Sequence, residues 1–271
     1  MSSRQLKDIA KKRLLFRLGP IAGATATYAA IYVAVLMAVI MAYSMNLLTK
    51  GVFNSVEAMT EYIEGSTNTF GFFIGFEIVI ILVSALMSTV SVAIQAMSLN
   101  AARGKKIKFS EILFVVKNNP DKVIIITIIQ QLLALLFAIP QNVVSLMVMD
   151  SISAQIISFA LMLFGYIADI IIVTLFSQSM FLYIDNVEES PLECISMSLR
   201  AMRKPKNFFR YLWLVISFIP LHIVGMISFG LFYLWLIPYQ NTTMALFYLQ
   251  LKGEIGSIIE VSLDEDLSIL S

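Results

Sequence analysis

Long uncharged stretches alternate with short basic ones along the chain. Residues 18–49 carry no charge, and between Gly65 and Ala102 the one charge is Glu77. Residues 123–149 again have none, and between Ser151 and Ile184 the one charge is Asp169. A helix needs about 20 apolar residues to cross a bilayer core. The pattern therefore predicts membrane helices over 19–47, 68–98, 123–148 and 153–184. The last uncharged run, Tyr211–Leu251, is 41 residues long. At roughly 1.5 Å per residue that is about twice one crossing. It predicts two helices, 211–228 and 231–251, with Gly225 and Gly230 supplying the turn and Pro238 breaking the second in its middle.

The intervening segments read as short interfacial helices. The clearest is SPLECISMSLRAMRKP, with Ser190 and Glu193 at capping-box spacing and Pro191 at the first helical position. Leu192, Ile195, Leu199 and Met202 form one stripe, and Glu193, Arg200, Arg203 and Lys204 lie away from it. Residues 190–204 thus predict an amphipathic helix with Arg200, Arg203 and Lys204 toward anionic headgroups. An ordinary connector packed on the helix ends fits the same residues. Residues 3–16 and 109–118 are looser versions. The order suggests three repeats of a surface helix followed by a membrane hairpin, starting near residues 3, 109 and 190.

Cations set the orientation. Of 19 Lys and Arg, six lie in residues 1–17, six in 103–122 and five in 200–210. Single crossings by the first four helices put all three groups on one side, and the positive-inside rule makes that side the cytoplasm. The 50–64 loop, with Glu57, Glu61 and Glu64, is then external; six crossings return the C-terminus, with its acidic 253–271 tail, to the cytoplasm, whereas five would leave it outside.

Composition agrees with this reading. The 271 residues are 59% hydrophobic and 14% charged, with mean hydropathy +0.85, too apolar for a water-soluble domain. The expectation is all-α: one polytopic integral membrane domain of about six transmembrane helices. A net charge of +1 and the lack of a basic stripe argue against nucleic acid. One Cys, Cys194, and one His, His222, leave no basis for a disulfide, a Cys-based zinc site or a His-rich metal centre.

The stretch ESPLECISMSLRAMRKPKNFFRYLWLVISFIPL…GMISFGLFYLWLIPYQNTTMALFYLQL resembles the bacterial integral-membrane family DUF975. The resemblance rests on the basic start Arg4–Arg17, the Met202-Arg203-Lys204 patch, and a late signature, Pro238-Tyr239 followed by Phe247-Tyr248. It implies about six membrane helices in a bacterial plasma membrane and no established activity.

The sequence carries no HExxH, GxSxG, Walker or GxGxxG motif. Gly71 and Gly75 make a GxxxG, which reads as a close-packing helix face. Ionisable groups within membrane spans are functional candidates because charge in lipid is costly. Asp169, Glu77, Gln130, Gln131 and His222 could converge into a polar pocket or proton path. Each could equally be satisfied locally, and the Gln pair could act as helix glue. The Pro238 break would free carbonyls for Tyr239 and Tyr248 hydroxyls to meet, although an interfacial aromatic belt explains the Tyr and Trp residues more simply. The favoured expectation is a non-enzymatic scaffold or accessory protein acting on lipids or on partner membrane proteins, in envelope stress or peptide-toxin tolerance. A small transporter using the intramembrane carboxylates and the broken sixth helix is the alternative, and an enzyme on lipid substrates ranks last. No cofactor is expected. The expected partners are the bilayer, its anionic headgroups, and another membrane protein or a second copy.

Overall fold

A computed structural model describes residues 1–64, 69–146 and 152–256. Helices are the only regular elements among them. They are α1 (Ser3–Leu14), α2 (Leu18–Thr49), α3 (Val56–Glu64), α4 (Thr69–Ala102), a 3-10 turn (Phe109–Leu113), α5 (Phe114–Lys117) and α6 (Pro120–Leu146). Then follow α7 (Ile152–Phe176), α8 (Ser179–Asp185), α9 (Pro191–Met202), α10 (Pro205–Ile216), α11 (Ile219–Ile227) and α12 (Tyr233–Lys252). The chain is thus an all-α polytopic membrane bundle. Five stretches, Leu18–Thr49, Glu77–Ala102, Pro120–Pro140, Gln155–Asp185 and Pro205–Ile227, are long and apolar enough to cross a bilayer.

Helix ends follow local chemistry. Ser2 Oγ accepts from Gln5 N–H at 3.3 Å, and Ser2 N–H donates to Gln5 Oε1 at 2.8 Å, closing a full capping box on α1. Ser190 Oγ caps α9 by accepting from Glu193 N–H at 3.2 Å, with Pro191 next. Gly253 ends α12 at φ 85°, a left-handed position that glycine takes without a Cβ clash.

Helix α12 is the centre of the bundle. α12 packs against α4, α1, α2 and α11, and it buries Leu236, Tyr239 and the whole run Thr242–Leu249. Its neighbours shield it from lipid, so it need not be uniformly apolar. That is why it can hold Gln240, Asn241, Thr242 and Thr243 without being among the five spans above. Around it, α2 is buried only at its start, through Ile21, Ala24 and Thr25, and shows lipid an apolar surface that includes Met37, Ile40 and Met41.

Several expected features change. α12 runs unbroken through Pro238; the breaks lie elsewhere. The expected 153–184 helix divides into α7 and α8 at Ser177–Gln178, and the expected 211–228 helix starts at Pro205 and divides at Ser217–Phe218. The 109–118 segment is a 3-10 turn plus one helical turn rather than an amphipathic helix. α9 buries Cys194, Ile195, Ser198 and Met202, while Leu192 is 66% exposed. Its inner face is therefore turned from the expected stripe, because it must meet α6, α7, α8 and α10 together. Gly75 is exposed with nothing within 4 Å of its Cβ position, so it does not serve as a close-packing face within the chain. The surroundings of Gly71, and residues 257–271 of the acidic tail, lie outside what the structure describes. The tight approach is at Gly225, where a Cβ would come within 2.7 Å of the Tyr233 ring.

Candidate functional site

The basic segments meet at one end of the bundle. Arg17 donates to the Gly104 carbonyl at 2.7 Å and to the Lys105 carbonyl at 3.1 Å, just past the end of α4. Lys122 donates to Val187 O at 2.6 Å, just past α8. Arg210 donates to Met1 O at 2.6 Å and to Gln250 Oε1 at 2.9 Å, joining the chain start to the end of α12. Arg17 and Lys122 suit their positions past α4 and α8 because carbonyls at helix C-termini lack helical partners and carry partial negative charge. One end of the fold is thus held together by the residues that the cation count had grouped on one side.

At that end the three returning helices close on a charged cluster. Arg103 follows α4, Asp185 ends α8, and Lys252 ends α12. Arg103 binds Asp185 through both guanidinium nitrogens, at 2.7 and 2.8 Å, the bidentate geometry that arginine's planar fork favours. Lys252 Nζ reaches Asp185 Oδ2 at 2.8 Å, and Tyr248 O–H donates to the same oxygen at 2.9 Å. Glu254 completes the network, 3.0 Å from Arg103 and 2.8 Å from Lys252. The Asp185 side chain is only 7% exposed, so its partners offset a substantial desolvation cost. The Lys252 hydrogen bond, seconded by Arg103, holds the Glu254 carboxyl below its usual range. Sequence reasoning passed over this cluster. Its trace was that Arg103, Asp185 and Lys252 are each the first charge after a long apolar helix.

Both helix breaks are sealed by polar groups from the short helices. Lys7 of α1 donates to Ser217 O at 2.8 Å and sits 4.0 Å over the Phe218 ring. Burial, with Lys11 nearby, pushes its amine below the ordinary lysine value. Ser198 of α9 donates to Leu175 O at 2.7 Å and accepts from Gln178 N–H at 3.2 Å. Irregular backbone within a membrane protein persists where protein groups satisfy it. α1 is amphipathic: Leu6, Ala10 and Leu14 join the core at 3% exposure or less, while Arg4, Asp8, Lys11 and Lys12 are exposed.

The polar residues singled out within the spans are scattered. His222 on α11 hydrogen-bonds Gln240 Oε1 of α12 at 2.9 Å, and its carbonyl accepts from Tyr233 O–H at 3.2 Å. Gln130 and Gln131 are half-buried on α6, with Gln131 Oε1 enclosed and without a hydrogen-bond partner among the described residues. Glu77 is half-buried near the start of its span, and Asp169 is exposed on α7. Among the described residues no hydrogen bond or ion pair links any two of these five.

The signature residues are packing residues of α12. Pro238 is buried. Tyr239 meets Phe218 edge-on at 5.3 Å and Trp235 at 4.8 Å. Phe247 meets Tyr211 at 5.3 Å, and Tyr248 stacks on Phe181 at 5.4 Å. Tyr239 and Tyr248 therefore belong to the core and not to an interfacial belt, whereas Trp213 is 66% exposed. Arg200, Arg203 and Lys204 are all exposed where α9 passes into α10.

No curated protein and no solved structure matches the chain. A family model described as "Protein of unknown function (DUF975)" matches residues 1–254. The match spans every helix from α1 to α12, with the late signature lying in the centre of the bundle, and the chain belongs to the DUF975 family.

Proposed function

We propose that the chain is a non-enzymatic scaffold or accessory protein of the bacterial plasma membrane, acting on lipids or partner membrane proteins, with both termini in the cytoplasm. The observation that carries this reading is the dispersal of the intramembrane polar groups. His222 is engaged with Gln240, and Asp169 is exposed at the edge of the inner face of α7. A proton or substrate path needs such groups in a continuous series, and these form none. At the basic end, exposed Arg200, Arg203, Lys204 and Lys206 adjoin exposed Phe209 and Trp213 on α10. Cations beside an apolar helix face suit a surface of anionic headgroups. Tolerance of envelope stress or peptide toxins is the setting in which such a protein would act.

Transport is the second reading, and a different observation favours it. Among the described residues, Ser98 Oγ, Gln178 Oε1, Ser179 Oγ and Thr242 Oγ1 are buried without hydrogen-bond partners, on α4, in the α7–α8 break, on α8 and on α12. Buried polar atoms usually find partners, and a permeating ion or water could supply them. Flux of ions and dyes into proteoliposomes, with and without a pH gradient, separates the readings. The scaffold reading expects flux no greater than in empty vesicles, for wild type and Asp169→Asn alike. Flux that the substitution abolishes would establish transport.

A further inference from the structure

We infer that α7 carries a docking seam for one transmembrane helix of another membrane protein, recognised through a Lys or Arg near that helix's midpoint that pairs with Asp169. The inference deepens the accessory reading above and rests on it.

Asp169 is the fifteenth of the 31 residues in the span Gln155–Asp185, hence near mid-membrane. Asp169 borders the inner face of α7, four residues after Gly165, which lies against the Phe137 carbonyl of α6, and three before Ile172; Ile172 and Phe176 are 7% and 6% exposed. Asp169 stands at the flank of that face, exposed, with no hydrogen bond or ion pair among the described residues. Phe159, Met162, Tyr166, Asp169 and Val173 alternate three and four residues apart along this flank. Of these, Phe159, Tyr166 and Val173 are 58%, 61% and 43% exposed. A three–four alternation gives a strip one helix wide, and a polar group at one seam position sets partner and register.

Charge decides the occupant. An unpaired carboxylate facing hydrocarbon is costly, and carboxylates in membrane segments generally pair. This chain cannot supply the cation. Lys122, Lys206 and Arg210 lie within the first six residues of their spans, at the end where the basic segments meet, and the other three spans contain no Lys or Arg. His222 is already bonded to Gln240. Symmetric pairing of two copies through α7 would set Asp169 against Asp169. A different protein with a mid-membrane cation satisfies both the strip and its charge.

The test places the full-length chain in phosphatidylcholine vesicles with a synthetic leucine–alanine transmembrane peptide bearing one central Lys, and reads proximity by fluorescence transfer. The expected result is binding about tenfold tighter than to the same peptide with Leu at that position. Asp169→Asn should abolish that preference and Asp169→Glu retain it, with both variants matching wild-type thermal unfolding. Equal binding of the two peptides, or a preference that survives Asp169→Asn, overturns the inference. Self-association lost on Asp169→Asn, without peptide preference, overturns it in favour of a second copy. Flux in the same vesicles is a separate readout. Flux dependent on Asp169 overturns the accessory reading whatever the peptide does, whereas absent peptide preference overturns the docking seam alone.

Discussion

The guanidinium of Arg103 grips both oxygens of Asp185, 82 residues further along, at 2.7 and 2.8 Å. This contact ties the return helix of the first hairpin to that of the second, and Lys252 ties in the third. Removing Arg103 leaves the buried Asp185 carboxylate with only Lys252 and Tyr248, both on one oxygen. Arg103→Ala should lower unfolding stability by about 3 kcal/mol, read by chemical denaturation in detergent. Arg103→Lys should recover only part, because an ammonium cannot bind both oxygens in parallel. A loss below about 0.5 kcal/mol for the alanine variant would show the cluster to be energetically idle.

Glu254 makes the same cluster sensitive to acid. Its carboxyl is held below the reference value of 4.5 by Lys252 and Arg103. A depressed carboxyl stabilises the fold above its unfolded-state value and loses that contribution as pH falls through its folded-state value. Wild-type thermal stability should therefore decline below about pH 4.5 more steeply than that of Glu254→Gln. Parallel declines would contradict the network.

Lys7 seals the Ser217 break with one hydrogen bond and a contact on Phe218. Lys7→Met keeps the aliphatic length but loses the charge-assisted bond, at a cost of about 1.5–3 kcal/mol. The first turn of α1 should become accessible to protease, and Ser217 should exchange its neighbouring amides faster. Unchanged protection at both places would mean that α1 is held by its apolar face alone.

Gly225→Ala places a methyl group within 2.7 Å of the Tyr233 ring. Overpacking of this kind costs about 1–3 kcal/mol. Because the opposing group is a side chain, Tyr233→Leu in the same molecule should return most of the loss, and a double variant no better than the single one would place the strain in the backbone instead.

The shielded α12 and the two helix breaks carried little signal in the sequence. Apolar runs and cation groups gave Leu18–Thr49 and Pro120–Leu146 to within a few residues at each end, since lipid demands length and hydropathy of each helix separately. Ser217 and Ser177 gave no comparable signal. Each break depends on a donor far along the chain, Lys7 in one case and Ser198 in the other. Pro238 attracted notice for the opposite reason: proline usually interrupts a helix, yet here it lies in the second turn of α12 and the helix continues past it. His222 was legible as a polar group in lipid, but Gln240 as its partner was not, because that pairing needs α11 and α12 to face each other at the right rotation.

The sequence by itself determined that this protein threads a membrane, where its apolar helices run, and that its three basic segments share a side, because burial in hydrocarbon and the placement of cations act on each segment almost independently. The tertiary structure decided that α12 is the shielded centre, that Arg103, Asp185 and Lys252 meet, and that Asp169 is left exposed. Those outcomes depend on the rotation of each helix about its axis and on which distant group reaches an open carbonyl or carboxylate. Only the simultaneous packing of all the helices fixes either.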